Sequence, residues 1–296
     1  MLVWVGGVWE GDRMSPPTLR RRRLATELRR LRERAGLTLD QAATHSDVTK
    51  STLSRIETAQ IGVRPVVVRV LLGLYGETGT RAEALLQLAR DARKRGWWQA
   101  YSDVLTSQYA DYISLEAEAL AIRNYEPLFV PGLLQTEAYT REIILSAVTD
   151  MSESEVDRRV GVRMARQHRL TEPPGLDLWA IMDEAVLRRP TGTPATMQGQ
   201  YKHLLTVGQL ANVTIQVLPL DVGAHPGMTG SFSVIESSEE RFSDIVYVDT
   251  VAGELYLEAE FETRRVNTLF NHLRARALDP DRSTALIAAL VDGVSA

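Results

Sequence analysis

Apolar residues recur at helical spacing along the first third of the chain. Leu24, Leu28 and Leu31 form one stripe on a helix over 19–35. Leu39, Ala42 and Ala43 give the inner face of a short helix that Thr38 can cap, and Asp47-Val48 then breaks the pattern as a turn. Thr49 can cap a second short helix over 49–58. There Val48, Leu53 and Ile56 face inward, and Lys50, Ser51, Thr52, Ser54 and Arg55 are left pointing out. Pro65 suits the first turn of a fourth helix, Val66–Tyr75, which is apolar nearly all round and therefore reads as a core element; Gly76 ends it. Ala84, Leu85, Leu88 and Ala92 mark a fifth helix over 80–95.

The pattern changes after Gly96. Trp97, Trp98, Tyr101, Tyr109 and Tyr112 are either stacking platforms or the apolar joint between two domains. Residues 113–124 read as a helix with Leu115, Ala119 and Ile122 packed and Glu116 and Glu118 outside. Tyr125–Thr136, with two prolines and a glycine, cannot be a regular helix until Thr136 caps Glu137–Ala147. This loop is either a wedge in the core or the wall of a pocket. Met151–Arg169 is amphipathic, and its five arginines, Arg158, Arg159, Arg163, Arg166 and Arg169, mark a partner face or an ordinary exposed surface. Strand patterns follow at Leu176–Met182, Val213–Leu218, Ser231–Ile235, Ile245–Val248 and Glu254–Leu257, with helices over 195–210, 260–277 and 280–291. The predicted fold class is α+β: an all-α five-helix domain, then an α+β domain with a small antiparallel or mixed sheet. The expected divisions are a disordered extension over 1–13, the helical domain over 14–96, an aromatic connector over 97–112 and the α+β domain over 113–296.

Composition adds three constraints. A chain of 296 residues with 44% hydrophobic content suits two ordinary globular domains. The absence of cysteine excludes disulfides, thiolate metal sites and cysteine nucleophiles. The net charge of −4 hides a segregation: residues 18–95 hold 17 basic and 8 acidic side chains, so the remainder is strongly acidic. A basic module on an acidic body is the asymmetry expected when one part meets phosphate. The apolar run in Met1–Arg13 is broken by Gly6-Gly7, too short to span a bilayer and unlike a signal peptide. Translation is expected to begin at Met14, and the protein to be cytoplasmic with no membrane partner.

Two short helices about a tight turn form a helix-turn-helix, with 49–58 as the recognition helix in the major groove of double-stranded DNA. Its small, polar, basic outer face assigns base reading to Lys50, Ser51, Thr52 and Arg55. Phosphate contact falls to Thr38, Gln41, Thr49 and Ser54, and to Arg20, Arg21, Arg22 and Arg23, a basic block that opposes the dipole of its own helix. One such helix reads few base pairs, so a homodimer on a pseudo-palindrome is expected. The five histidines show no metal-ligand spacing, and no Gly-x-Ser-x-Gly elbow or phosphate-cradling loop occurs. The protein is therefore expected to be no enzyme and to use no cofactor or metal. Asp183-Glu184 reads as an acidic helix cap. The flexible Gly223–Gly230 loop is either a tight connection or, with Glu126–Thr136, a ligand or partner site built from Glu126, Phe129, Gln135, His225 and Met228.

Leu28, Leu31, Ala35-Gly36-Leu37-Thr38, Ala43, Val48 and Ser51–Glu57 resemble the phage-repressor, or XRE, type of helix-turn-helix. The resemblance implies a structural ion pair between Arg32 and Glu57. It departs at Thr58-Ala59, where that family often has glycine, so a longer helix or a less relaxed turn is expected. Farther on, Leu115–Ala119, Glu126–Thr136, Asp183–Pro190, Asn212–Pro219 and Gly223–Met228 resemble the second domain of actinobacterial regulators described as toxin–antitoxin-like. That resemblance implies transcriptional control, sometimes with a small protein encoded by an adjacent gene. The expected function is a DNA-binding transcriptional regulator controlled through its C-terminal domain by a partner or ligand. The alternative is an antitoxin-like protein that mainly neutralises a small partner.

Overall fold

The computed structural model describes residues 19–92, 96–147, 150–237, 244–250 and 253–293; the extension expected over Met1–Arg13 lies outside them. The chain divides into two compact units. The first holds the described residues up to Ser102 together with Thr106–Ser114, and the second holds Asp103–Leu105 and everything from Leu115 onward.

The first unit contains five helices in the predicted order: α1 (Leu19–Arg34), α2 (Leu39–His45), α3 (Lys50–Glu57), α4 (Pro65–Leu74) and α5 (Gly79–Asp91). Leu24, Leu28 and Leu31 of α1 are buried with Leu53, Ile56, Val68, Leu71 and Leu85, so the stripes read from the sequence converge on one core. Each such leucine contributes roughly 1.5–3 kcal/mol by leaving water. One expectation is corrected here. Helix α4 is apolar apart from Arg69, but Val66 and Val70 are 57% and 43% exposed. A short helix on the surface of a small unit has only one side to bury. The aromatic run folds as a 3₁₀ turn, Trp97–Tyr101, and Tyr109 stacks on Tyr112 in α6 (Ser107–Glu116).

The second unit is α+β around a six-stranded mixed sheet of order β3-β2-β1-β4-β5-β6. The strands are β1 (Ala119–Glu126), β2 (Asp177–Asp183), β3 (Val213–Leu218), β4 (Phe232–Ser237), β5 (Ile245–Thr250) and β6 (Gly253–Leu257). Strand β1 overturns the predicted helix over 113–124. The Leu-Glu-Ala-Glu-Ala run favours helix locally, but the chain from Ala119 onward pairs parallel with β2 and antiparallel with β4. Two backbone ladders and the burial of Ala119, Ile122 and Tyr125 outweigh a propensity difference of under about 1 kcal/mol per residue. Glu116, expected outside, is buried.

Helices α7 (Glu137–Ala147) and α8 (Glu153–Gln167) connect β1 to β2, and α9 (Glu184–Arg188) and α10 (Pro194–Val207) connect β2 to β3. Two helices close the chain, α11 (Glu260–Arg276) and α12 (Pro280–Gly293). On one sheet face Tyr125, Ile181, Phe232, Val234 and Val246 pack with Phe270 and Leu273 of α11. By strand alternation Asn124, Glu126, Ser233 and Tyr247 share the opposite face, all buried. The turn between α11 and α12 closes part of the β3 edge: Val217 donates to Ser283 Oγ (3.0 Å) and accepts from the Leu278 amide (2.9 Å).

Candidate nucleic-acid interface

Thr38 caps α2 in a reciprocal box. Its hydroxyl accepts from the Gln41 amide at 3.3 Å, and its own amide donates to Gln41 Oε1 at 2.9 Å. Ser46, Asp47 and Val48 make the turn, with Asp47 in the left-handed region at φ +53°. Thr49 then caps α3 by accepting from the Thr52 amide. Leu53 and Ile56 point inward, while Lys50, Ser51 and Arg55 are exposed and Thr52 and Ser54 half-buried. The crossing of the helices is fixed by Arg32. Its Nε and Nη2 donate to the two Glu57 carboxylate oxygens, both at 2.8 Å, and its Nη1 donates to the Leu37 carbonyl at 2.8 Å. Both side chains are buried, and the bonds to Glu57 hold the guanidinium above its ordinary pKa. Helix α3 ends at Glu57 without running on. The turn is the less relaxed kind: Ala59 sits at φ +56°, where glycine would be unstrained.

The recognition face carries one exposed internal pair, Lys50 Nζ to Asp40 Oδ2 at 2.7 Å. The Arg55 guanidinium has no hydrogen bond or ion pair among the described residues. The basic block of α1 is placed otherwise than expected. Arg20 is 8% exposed and donates to the carbonyls of Asp91 (3.0 Å) and Ser114 (3.5 Å), so it is not presented for phosphate. Burial lowers its pKa, and Asp91 opposes that shift. Arg22 pairs with the buried Asp111 at 3.1 Å, and Arg21 and Arg23 are half-buried. A carboxylate as buried as Asp111 requires a cation, and α1 supplies it.

In the second unit the structure decides the loop over 126–136. It is a wedge in the core, held by buried polar side chains. Gln135 Oε1 accepts from Arg163 Nη1 (2.8 Å) and Thr140 Oγ1 (3.0 Å), while its Nε2 donates to the Val130 carbonyl (2.7 Å). Gln200 clasps the same loop, donating to the Leu134 carbonyl and accepting from the Thr136 amide, each at 2.7 Å. Arg166 pairs with Glu116 through both oxygens, at 2.7 and 2.6 Å. Arg163 and Arg166 are thus internal, which corrects the reading of the five arginines over 158–169 as a partner face or an exposed surface.

His225 packs elsewhere. Its ring meets Tyr125 edge-on at 6.2 Å, and Nε2 lies 3.4 Å from Asp183 Oδ2. Asp183 caps α9 through the Ala185 amide at 2.9 Å, the acidic-cap role read from the sequence. A Cβ on Gly227 would come within 2.6–2.9 Å of the Tyr125 ring, so only glycine lets the loop lie so close. The five residues grouped as one site are therefore divided. Gln135 belongs to the wedge, Glu126 is buried at the end of β1, Phe129 is half-buried, His225 sits at Asp183, and Met228 is 69% exposed.

Residues 109–289, more than half of the chain, match the model of a domain of unknown function, DUF5753. The chain belongs to this family. Residues 23–85 match the model of a helix-turn-helix domain, and the N-terminal unit is accordingly a helix-turn-helix of the DNA-binding kind. No curated protein and no solved structure matches the chain.

Beside the helix-turn-helix, two exposed cations escaped the sequence reading. The side chains of Arg64, the N-cap of α4, and Arg69, on α4, have no hydrogen bond or ion pair among the described residues. The signal was present: Arg69 has no acidic residue three or four positions away on α4. In the DUF5753 domain, burial reinforced by Glu126 raises Asp249 to about 6. Among the described residues no three His, Asp or Glu side chains converge as a metal site, and no helix is long and apolar enough to cross a membrane.

Proposed function

We propose that this protein is a sequence-specific, cytoplasmic transcriptional regulator of the XRE type and not an enzyme. In this reading α3 lies in the major groove and the DUF5753 domain controls it. The observation that carries the reading is the outer face of α3: a doubly capped helix presenting Lys50, Ser51 and an unpaired Arg55 away from the core. Arg55, Lys50, Ser51 and Thr52 read bases. Phosphates are held by Gln41, the first amides of α2 and α3, Thr49 and Ser54, with Arg64 and Arg69 taking the part expected of Arg20 and Arg22.

Two copies bind one pseudo-palindrome. Support comes from the exposed valines of α4, Val66 and Val70, which form an apolar strip one turn apart. So small a strip gives weak self-association that DNA completes. Of the two expected controllers, a partner protein and a small ligand, we take the ligand, because the DUF5753 domain contains a cavity with an unpaired guanidinium and an unpaired carboxylate at its mouth.

The test is unbiased DNA selection with the full-length protein, followed by Arg55→Ala. A palindromic site should emerge, and the variant should lose roughly 1–3 kcal/mol with relaxed preference at one base position. Equal weakening on every sequence would show that Arg55 reads no base. No enriched site would end the regulator reading.

A further inference from the structure

The face of the sheet that carries Tyr125 is not fully covered. Toward β6, helix α11 leaves a cavity of about 350 Å³ walled by Phe232, Val248, Leu257, Val266 and Leu269. These walls continue the apolar core, where Phe232 is buried and the other four are only partly covered. The cavity lies over the antiparallel half of the sheet, with walls from β4, β5, β6 and α11. Its size lies in the range of small-molecule sites.

The mouth carries the chemistry. Phe261 stands 73% exposed at the rim, with Glu262 and Arg265 beside it. Three of the four arginines of α11 are engaged: Arg264 with Glu260 at 2.5 Å, Arg274 over the Trp179 ring at 4.9 Å, and Arg276 with the Ala224 carbonyl at 3.3 Å. The Arg265 guanidinium has no hydrogen bond or ion pair among the described residues, and neither does the half-buried Glu262 carboxylate. Opposite charges three positions apart on a helix ordinarily pair, and these two do not. An apolar chamber with an open guanidinium and an open carboxylate at its entrance complements a zwitterion with an apolar body.

We propose that this cavity binds a bulky apolar 2-amino acid. Its carboxylate meets Arg265, its ammonium meets Glu262, and its side chain enters between α11 and strands β4–β6. That this ligand also controls DNA binding rests on the regulator reading above; the site itself does not.

Calorimetry on the full-length protein with L-phenylalanine and L-leucine tests the site, with phenylalaninamide and 3-phenylpropionate as probes lacking one charge each. Binding of the amino acids is expected. Arg265→Gln, a surface change that should leave the fold intact, should weaken it at least about ten-fold, as should amidation of the ligand. Glu262→Gln and removal of the amino group should do the same. Val266→Phe, which fills the chamber, should abolish binding while an unchanged melting curve shows the domain folded. No binding at millimolar amino acid, or binding indifferent to Arg265→Gln, would overturn the proposal. Equal affinity for 3-phenylpropionate would overturn the role of Glu262. Operator affinity measured in the same samples separates the two readings: ligand bound without effect on DNA refutes control and leaves the site standing.

Discussion

The Arg32–Glu57 pair offers the sharpest test of how the DNA-reading unit is held together. Arg32→Met strands the Glu57 carboxylate in a buried position, and Glu57→Leu strands the guanidinium. Each change removes two charge-assisted bonds of 2.8 Å, and the first also removes the donor to the Leu37 carbonyl. Stranding a buried charge costs about 3–5 kcal/mol, a third or more of the stability of an ordinary domain. The double variant leaves no uncompensated charge and should lose only about 1 kcal/mol, for the unpartnered Leu37 carbonyl. The coupling energy is then several kcal/mol and favourable. Hydrogen exchange followed by mass spectrometry on the full chain reads α1–α3 separately from the DUF5753 domain. The single variants should exchange roughly a hundred- to a thousand-fold faster there and unchanged elsewhere. The salt dependence of DNA binding should not change, because neither side chain is offered to phosphate. Single losses below about 1 kcal/mol, or a double loss equal to the sum, would refute a structural pair. A flattened salt dependence in Arg32→Met would move Arg32 to the interface.

Three further outcomes follow from particular geometries. Ala59→Gly should raise stability by about 0.5–1 kcal/mol, since relief of the left-handed strain exceeds the added freedom of the unfolded chain; a lower melting temperature would show that the turn is unstrained. Gln135→Leu should cost about 2–4 kcal/mol, because Arg163, Thr140 and the Val130 carbonyl lose their shared partner inside the core, and a neutral result in urea unfolding would deny the wedge its role. Asp249, raised to about 6, holds its proton in the folded state at pH values where the unfolded chain has released it. Its contribution is therefore full below about pH 4 and lost as pH rises through 6. Asp249→Asn should keep it, gaining about 1 kcal/mol at pH 7–8 after allowance for solvent screening on the open side. Parallel unfolding midpoints for the two proteins from pH 4 to 8 would contradict this.

The parts legible in the chain were those with local causes. Thr38 and Thr49 announce helix starts because a side-chain oxygen satisfies amides two or three residues on, whatever lies beyond. The strands over 177–183 and 213–218 stand out, the first by its alternation and the second as a β-branched run. Asp183 was readable as a cap for the same local reason.

What required the tertiary structure were the outcomes of competition between distant partners. The run over 113–124 reads as helix by itself, and its part from Ala119 becomes a strand because β2 and β4 flank it on both sides. Arg20 and Arg22, equal in sequence to any phosphate-binding arginine, are turned to Asp91, Ser114 and Asp111, which lie some seventy to ninety positions away. Arg163 and Arg166 look like surface charge until Gln135 and Glu116 arrive from other elements to make their burial tolerable. The sequence by itself determined where the short helices of the helix-turn-helix begin and which of their faces are apolar, because those depend on neighbours within one or two turns. Only the fold decided which charges stay exposed and which are taken inside, because the free energy of a buried charge is set by the partner that reaches it through space.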